Sequence, residues 1–261
     1  MLQCVDAFNI EQIVEMRDRK YVLDNLETLI QENDHVSLFM FPYADKLQLN
    51  IWNRVGNKRE SFLGDFREFL SIALDAVFLS SVISFFTALN LLPRVVNFLM
   101  IFKINTRFVL KSYKAFNRSI YHLHNELEFA VARDKGLETI YKMEEIYKNL
   151  YSKNRIPFML LEVRFTPGHN NSLISPGQGR DSVYIDQICN QSTGYKLFYS
   201  NVEEYIRQID ARPHMGKYCK SFNKEDFTRL YGKDFSTFKK LIEVHDPDGK
   251  FQNRFVTKRF F

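Results

Sequence analysis

Two charged residues interrupt an apolar run near the middle of the chain. Ile156 to Asp186 reads IPFMLLEVRFTPGHNNSLISPGQGRDSVYID. Its first part, PFMLLEVRF, is rich in strand-forming residues and contains Glu162 and Arg164. Side chains alternate across a strand, so these two point to one face. A carboxylate and a guanidinium projecting together from an otherwise buried strand are unfavourable unless something polar meets them. On the residues alone the pair reads as a structural ion pair with its partner loop. Thr166 to Gly179 is a loop rich in Pro, Gly, Asn and Ser, and it leads into Arg180-Asp181-Ser182 and a second strand pattern, SVYIDQI. Further on, His214 and Lys217 lie on a loop after Pro213. Alone, His214 reads as a structural or surface histidine. The composite collects cations around one carboxylate, and that suits oxidation of an alcohol beside a flavin. Hydride transfer leaves negative charge on the flavin and develops alkoxide on the substrate, and fixed cations stabilise both. A His or a carboxylate can take the hydroxyl proton.

Other chemistries find little support. The six His are scattered, and His122-x-His124 forms the closest pair, with no CxxC and no HExxH frame, so no metal site is expected. Neither GxGxxG nor GxxxxGK[ST] occurs, and GxSxG is missing too. The net charge of +5 is modest, both signs are interspersed, and no Lys/Arg block is long enough to suggest nucleic acid. The three Cys (Cys4, Cys189, Cys219) are isolated, which makes a reducing or cytosol-facing setting the default. The start, MLQCVDAFNI, has neither the basic nor the apolar region of a signal peptide and reads as a strand in progress.

These residues must be held by a core, and 45% apolar with 26% charged residues is a globular composition over 261 positions. Residues 2–10 alternate as a strand. Val22, Leu23, Leu26, Leu29 and Ile30 recur at helical spacing within 18–33. HVSLFMFPY (35–43) and KLQLNIWNRV (46–55) form a hairpin pattern about Ala44-Asp45. IYHLHNELEFAVAR (120–133) ends in a strand pattern, 136–154 is helical, and 200–218 is a helix ending before Arg212-Pro213. Residues 223–251 read as short helices with Asn223 or Ser221 as the cap, and DPDG (246–249) as a type I turn. Between 66 and 110 the chain is strongly apolar, and Ala76 to Pro93 carries no charge. That stretch reaches the lower edge of membrane-spanning lengths, about 17 residues, but Ser80, Ser81, Ser84, Thr87 and Asn90 dilute it. In-plane attachment, a span and buried helices of a soluble core all remain open. The order of elements points to an α+β fold, an antiparallel sheet covered by helices.

Three separated motifs, LEVRFTPG…SPGQGRDSVYI (161–185), RPHMGK (212–217) and DPDGKFQNRFVTK (246–258), resemble the sugar-1,4-lactone oxidases. These are the L-gulonolactone and D-arabinono-1,4-lactone oxidases of the vanillyl-alcohol-oxidase-like flavoproteins, and the similarity covers nearly the whole chain. The resemblance implies that Glu162, Arg164, His214 and Lys217 are catalytic, facing flavin and substrate hydroxyls. It places Lys217 and Asn253 at the cofactor, Asn253 more weakly, and makes Arg180, Asp181 and Ser182 supporting residues behind the site. Asp246, Pro247, Gly249 and Phe251 shape a turn. The implied cofactor is FAD, and the implied partners are a sugar-1,4-lactone and dioxygen; the apolar run adds a membrane as an expected partner, of the endoplasmic reticulum or another intracellular compartment. The motif's Trp is Met215 here, which removes a rigid aromatic wall and an N–H donor.

Residues 1–17 are expected to be the tail end of a flavin-binding domain that is otherwise missing. Residues 18–261 are expected to be the cap, or substrate, domain, with 66–110 as an apolar membrane-associating insertion. The expected product is a fragment of a lactone oxidase that by itself binds no FAD. The alternative is a non-catalytic, membrane-associated cap-like protein that binds a ligand or a partner.

Overall fold

The computed structural model describes residues 4–56, 60–61, 66, 69, 73, 85, 105–116, 124–151, 159–190 and 194–261. The chain divides into two compact units, the first comprising Met1–His124, Pro157–Arg164 and Ile188–Ser192, the second Asn125–Ile156, Phe165–Gln187 and Thr193–Phe261. Each combines antiparallel strands with helices, the α+β class that the pattern of elements implies.

In the first unit the strands run in the order β4 (Thr106–Lys111), β1 (Asn9–Asp18), β3 (Lys46–Val55), β2 (His35–Met40), β6 (Met159–Thr166), each antiparallel to its neighbours. The hairpin of β2 and β3 has Leu38 opposite Leu49, and Leu38 also stands opposite Val163 of β6. These three, with Leu47 and Leu161, form a buried apolar face. Burying such side chains stabilises the sheet by about 1.5–3 kcal/mol each. Helices α1 (Arg19–Asp24) and α2 (Leu26–Gln31) add Val22, Leu23 and Leu26 to the core, and the short α3 (Ser112–Ala115), which follows β4, adds Ala115.

Local signals were overridden here in two places. The expected strand over 2–10 begins only at Asn9 and runs to Asp18, because β3 and β4 pair with it on either side despite Glu11, Glu15 and Arg17. The expected helix over 18–33 is broken at Asn25, whose side-chain amide donates to the Tyr21 carbonyl at 2.8 Å and competes with helix bonding. Asp18 caps α1 by accepting from Tyr21 N–H.

The expected membrane-associating region, 66–110, lies outside the described residues except for Phe66, Phe69, Ala73, Phe85 and residues 105–110. Its end is strand β4. Among the described residues no helix is long and apolar enough to cross a membrane.

In the second unit β7 (Ser182–Asn190) lies beside β5 (His124–Ala132), and β5 beside β8 (Arg212–Pro213). Arg212-Pro213, expected just past the end of a helix, is a short edge strand paired with Phe129 and Ala130. An edge tolerates proline because no ladder N–H is required there. Helices α4 (Gly136–Tyr151) and α5 (Tyr195–Gln208) bury Ile140, Met143, Tyr147, Phe198, Tyr199 and Val202. α5 ends at Gln208, ahead of Arg212-Pro213 as expected, but starts earlier than the pattern suggested. The segment read as short helices is α6 (Lys224–His245), started by the expected Asn223 cap in a reciprocal capping box with Asp226. It is kinked at Gly232, where φ of 50° and ψ of −117° demand glycine. After the DPDG turn, closed by Gly249 N–H to the Asp246 carbonyl, comes α7 (Arg254–Phe260).

Candidate active site

The first unit presents Glu162 and Arg164 on one face of β6, as the alternation implies, while Leu161 and Val163 turn into the core. Register supplies their neighbours: Arg164 stands opposite Ser37, Glu162 opposite Phe39, Asn50 opposite Ser37 and Gln48 opposite Phe39. This face therefore carries a polar row that the sequence pattern would have assigned to solvent. Asn50 is 0% and Gln48 4% exposed. Gln48 Nε2 donates to Asn50 Oδ1 at 2.6 Å, Asn50 Nδ2 to the Ser37 carbonyl at 3.4 Å, and Ser37 Oγ to Glu162 Oε1 at 3.4 Å. The signal for these residues was their i, i+2 spacing in KLQLNIW, the same signal that singled out Glu162 and Arg164.

In the second unit RPHMGK forms a tight turn, with Lys217 N–H donating to the His214 carbonyl at 3.1 Å. Gly216 N–H donates to His214 Nδ1 at 3.2 Å, which leaves Nε2 to carry the hydrogen in the neutral ring. A Cβ at Gly216 would stand 3.0 Å from His214 Cε1, so glycine keeps the ring close over the turn. The His214 side chain is exposed.

Around Lys217 the structure inverts the expected charge pattern. Carboxylates collect around one cation: Nζ is 2.9 Å from both Glu126 and Glu128 and is hydrogen-bonded to Asp186. The Lys217 side chain is 19% exposed, whereas those of Glu128 and Asp186 are 2% exposed. Burial pushes the Asp186 carboxyl up to about 7; Lys217 pulls it down, and Glu128 and Glu126 add to the rise. Burial also works against the Lys217 ammonium, but Asp186 and then Glu128 overcome it and raise the amine above the ordinary lysine range. Among the described residues no three His, Cys, Asp or Glu side chains are grouped to hold a metal ion. Sequence reasoning missed all three carboxylates. Glu126-x-Glu128 in a strand pattern was a usable sign, since both must share a face.

The remaining candidates make hydrogen bonds to the surrounding backbone. Arg180 donates to the carbonyls of Ala130 (3.1 Å) and Asp210 (2.8 Å), and burial and the neighbouring Arg212 lower its pKa. Asp181 accepts from Gly168 N–H at 2.7 Å, and buried Ser182 donates to the Arg180 carbonyl. They fasten the loop from Thr166 to Gly179 to the strands. Asn253 accepts from Val256 N–H at 3.0 Å and caps α7. The structure thus brings His214 and Lys217 together within the second unit and Glu162 and Arg164 within the first.

Comparison with known proteins places this geometry in a family context. The family model described as D-arabinono-1,4-lactone oxidase matches residues 1–259. Bovine (Bos taurus) L-gulonolactone oxidase is 25% identical across 100% of this chain, which covers 59% of that protein. The L-gulono-1,4-lactone dehydrogenase of Mycobacterium tuberculosis is 24% identical over 98% of this chain and 59% of its own length. The chain thus spans about three-fifths of the length of these curated relatives. Among solved structures, a solvent-stable cholesterol oxidase superposes with a TM-score of 0.61 at 12% identity, over 96% of this chain and 60% of that one. A carbohydrate oxidase from Microdochium nivale gives 0.54 at 9% identity, over 97% and 56%. At such identities the structural likeness speaks for the fold alone.

Proposed function

Because the chain belongs to the D-arabinono-1,4-lactone oxidase family, we propose that it is the substrate-domain portion of an FAD-dependent oxidoreductase that oxidises a sugar-1,4-lactone, with dioxygen as the final acceptor and hydrogen peroxide as the by-product. The substrate class follows that named for the bovine and mycobacterial relatives. In this reading residues 18–261 are the substrate domain and residues 1–17 the end of a flavin-binding domain.

The observation that carries the reading is the turn bearing His214 and Lys217, which keeps an ammonium charged and partly open beside an exposed imidazole. These residues fit the flavin, because a ring that accumulates negative charge needs a cation fixed in advance. FAD, when bound, would accept the hydride from the substrate carbinol. Lys217 supplies fixed positive charge. His214, with Nδ1 engaged by Gly216, offers its Nε2 hydrogen to a substrate oxygen. Within the first unit, Glu162 is a carboxylate that can take a hydroxyl proton, and Ser37 Oγ donates to it at 3.4 Å.

The test is Lys217→Ala in the full-length, flavin-loaded protein. Turnover of aldono-1,4-lactones should fall roughly tenfold to a thousandfold, as when a charge-stabilising donor is lost. An unchanged kcat would remove Lys217 from the site. Membrane attachment through 66–110 is part of the proposal. Deleting 76–102 should release the protein from intracellular membranes, and continued pelleting with them would refute it.

A further inference from the structure

The turn that carries Lys217 is fastened to β5 at the very residues whose side chains grip its amine. His214 N–H donates to the Glu128 carbonyl at 2.8 Å and Tyr218 N–H to the Glu126 carbonyl at 2.9 Å. Glu126 and Glu128 alternate onto one face of β5, and both carboxylates reach Nζ. Asp186 closes the third side from β7. One carboxylate would neutralise a lysine. Three carboxylates surround this one ammonium, and Asp186 Oδ1 is buried without a hydrogen-bond partner among the described residues. Burying an ion in such company disfavours folding, and a neutral side chain of the same size would serve the core better. A charge kept against stability is the mark of a site rather than of a scaffold.

We infer that Asp186 is a positioning residue for Lys217: with Glu126 and Glu128 it holds the ammonium in one place and permanently charged, with its open side free for a ligand. The inference rests on the reading of Lys217 as the cation of the oxidation site and deepens it, since Lys217 then acts as a fixed charge and takes no proton during turnover. Among the described residues, the charged groups facing Nζ are the carboxylates of Glu126 and Glu128 from β5 and of Asp186 from β7.

The pairing can be tested without any activity. Acylation of lysines in the folded chain by an N-hydroxysuccinimide ester at about pH 8.5, followed by peptide mass spectrometry, reports how much free amine each lysine offers. In Asp186→Asn, Lys217 should react at least about tenfold faster, the equivalent of a fall of about one pH unit in its pKa. Asp186→Glu should return it towards the wild-type rate. An unchanged Lys217 rate in Asp186→Asn overturns the inference. So does a faster rate in a variant that unfolds more readily than the wild type at the same pH, since loosening would then account for it. In the full-length enzyme, Asp186→Asn should lower kcat about tenfold with KM within about twofold. A wild-type kcat there overturns the positioning role. Failure of the wild-type enzyme to oxidise any sugar lactone would instead refute the functional reading, while the acylation rates still decide the pairing.

Discussion

Replacing Asp186 with Asn should make the folded chain more stable above neutral pH. Burial pushes this carboxyl from its ordinary 3.8 up to about 7. Between those two values the folded chain keeps a proton that the unfolded chain has released, so stability falls as pH rises through the interval. The gap is about three pH units, each worth about 1.4 kcal/mol, so up to about 4 kcal/mol is lost between about pH 4 and pH 7 through this one group. Its side chain is 2% exposed, and solvent screens little of that. Asn stays neutral throughout and escapes the loss. The variant does not strand Lys217, because Glu126 and Glu128 still hold it. Urea unfolding of wild type and Asp186→Asn at about pH 4.5 and about pH 8 reads the effect directly. The two should be similar at the lower pH, and the variant should be ahead by about 2–4 kcal/mol at the higher. A variant that is destabilised equally at both would show that the buried carboxylate carries its charge without strain, and the argument would fall.

Three further substitutions probe the frame. Gly168→Ala would place a Cβ 2.7 Å from the Arg180 carbonyl carbon, against backbone that cannot step aside, and should lower stability by about 1–3 kcal/mol; an unfolding midpoint equal to wild type would show that the loop yields there. Arg212→Met removes donors to the carbonyls of Pro176, Gln178 and Leu230 and should cost at least about 3 kcal/mol in urea unfolding, whereas a loss below about 1 kcal/mol would mean water replaces them. Asn253→Ala should cost about 1 kcal/mol as a lost cap with flavin occupancy unchanged in the full-length protein, and lost occupancy at unchanged stability would place Asn253 at the cofactor instead.

Much of this was legible in the residues. The hairpin of 35–55, the helix from Gly136, the capped helix from Asn223 and the DPDG turn all follow local rules, and the structure shows each. β1 did not follow them, because its charges conceal a strand that only its two neighbours define. The candidate site residues divided along the same line. Glu162 and Arg164 were visible as charges out of place on an apolar strand, and His214 and Lys217 as a motif. Asp186, Glu126, Glu128, Ser37 and Asn50 were not, because a polar residue at alternate strand positions looks solvated until the sheet around it is known. Burial is what gives them meaning, and burial is a property of the whole fold.

The clip between the 214–218 turn and β5 works as a ruler. It measures the distance from His214 to Tyr218 in backbone units, because these two dock on carbonyls two residues apart along the strand. Met215 takes part in neither clip, so its side chain can change without moving the amine. Adding or removing one residue between His214 and Tyr218 cannot be absorbed in that way: one of the two hydrogen bonds to the Glu126 and Glu128 carbonyls would be lost. Variation in this turn should therefore be free in letter at position 215 and fixed in length throughout. A Trp-to-Met exchange at position 215 is a change the ruler permits.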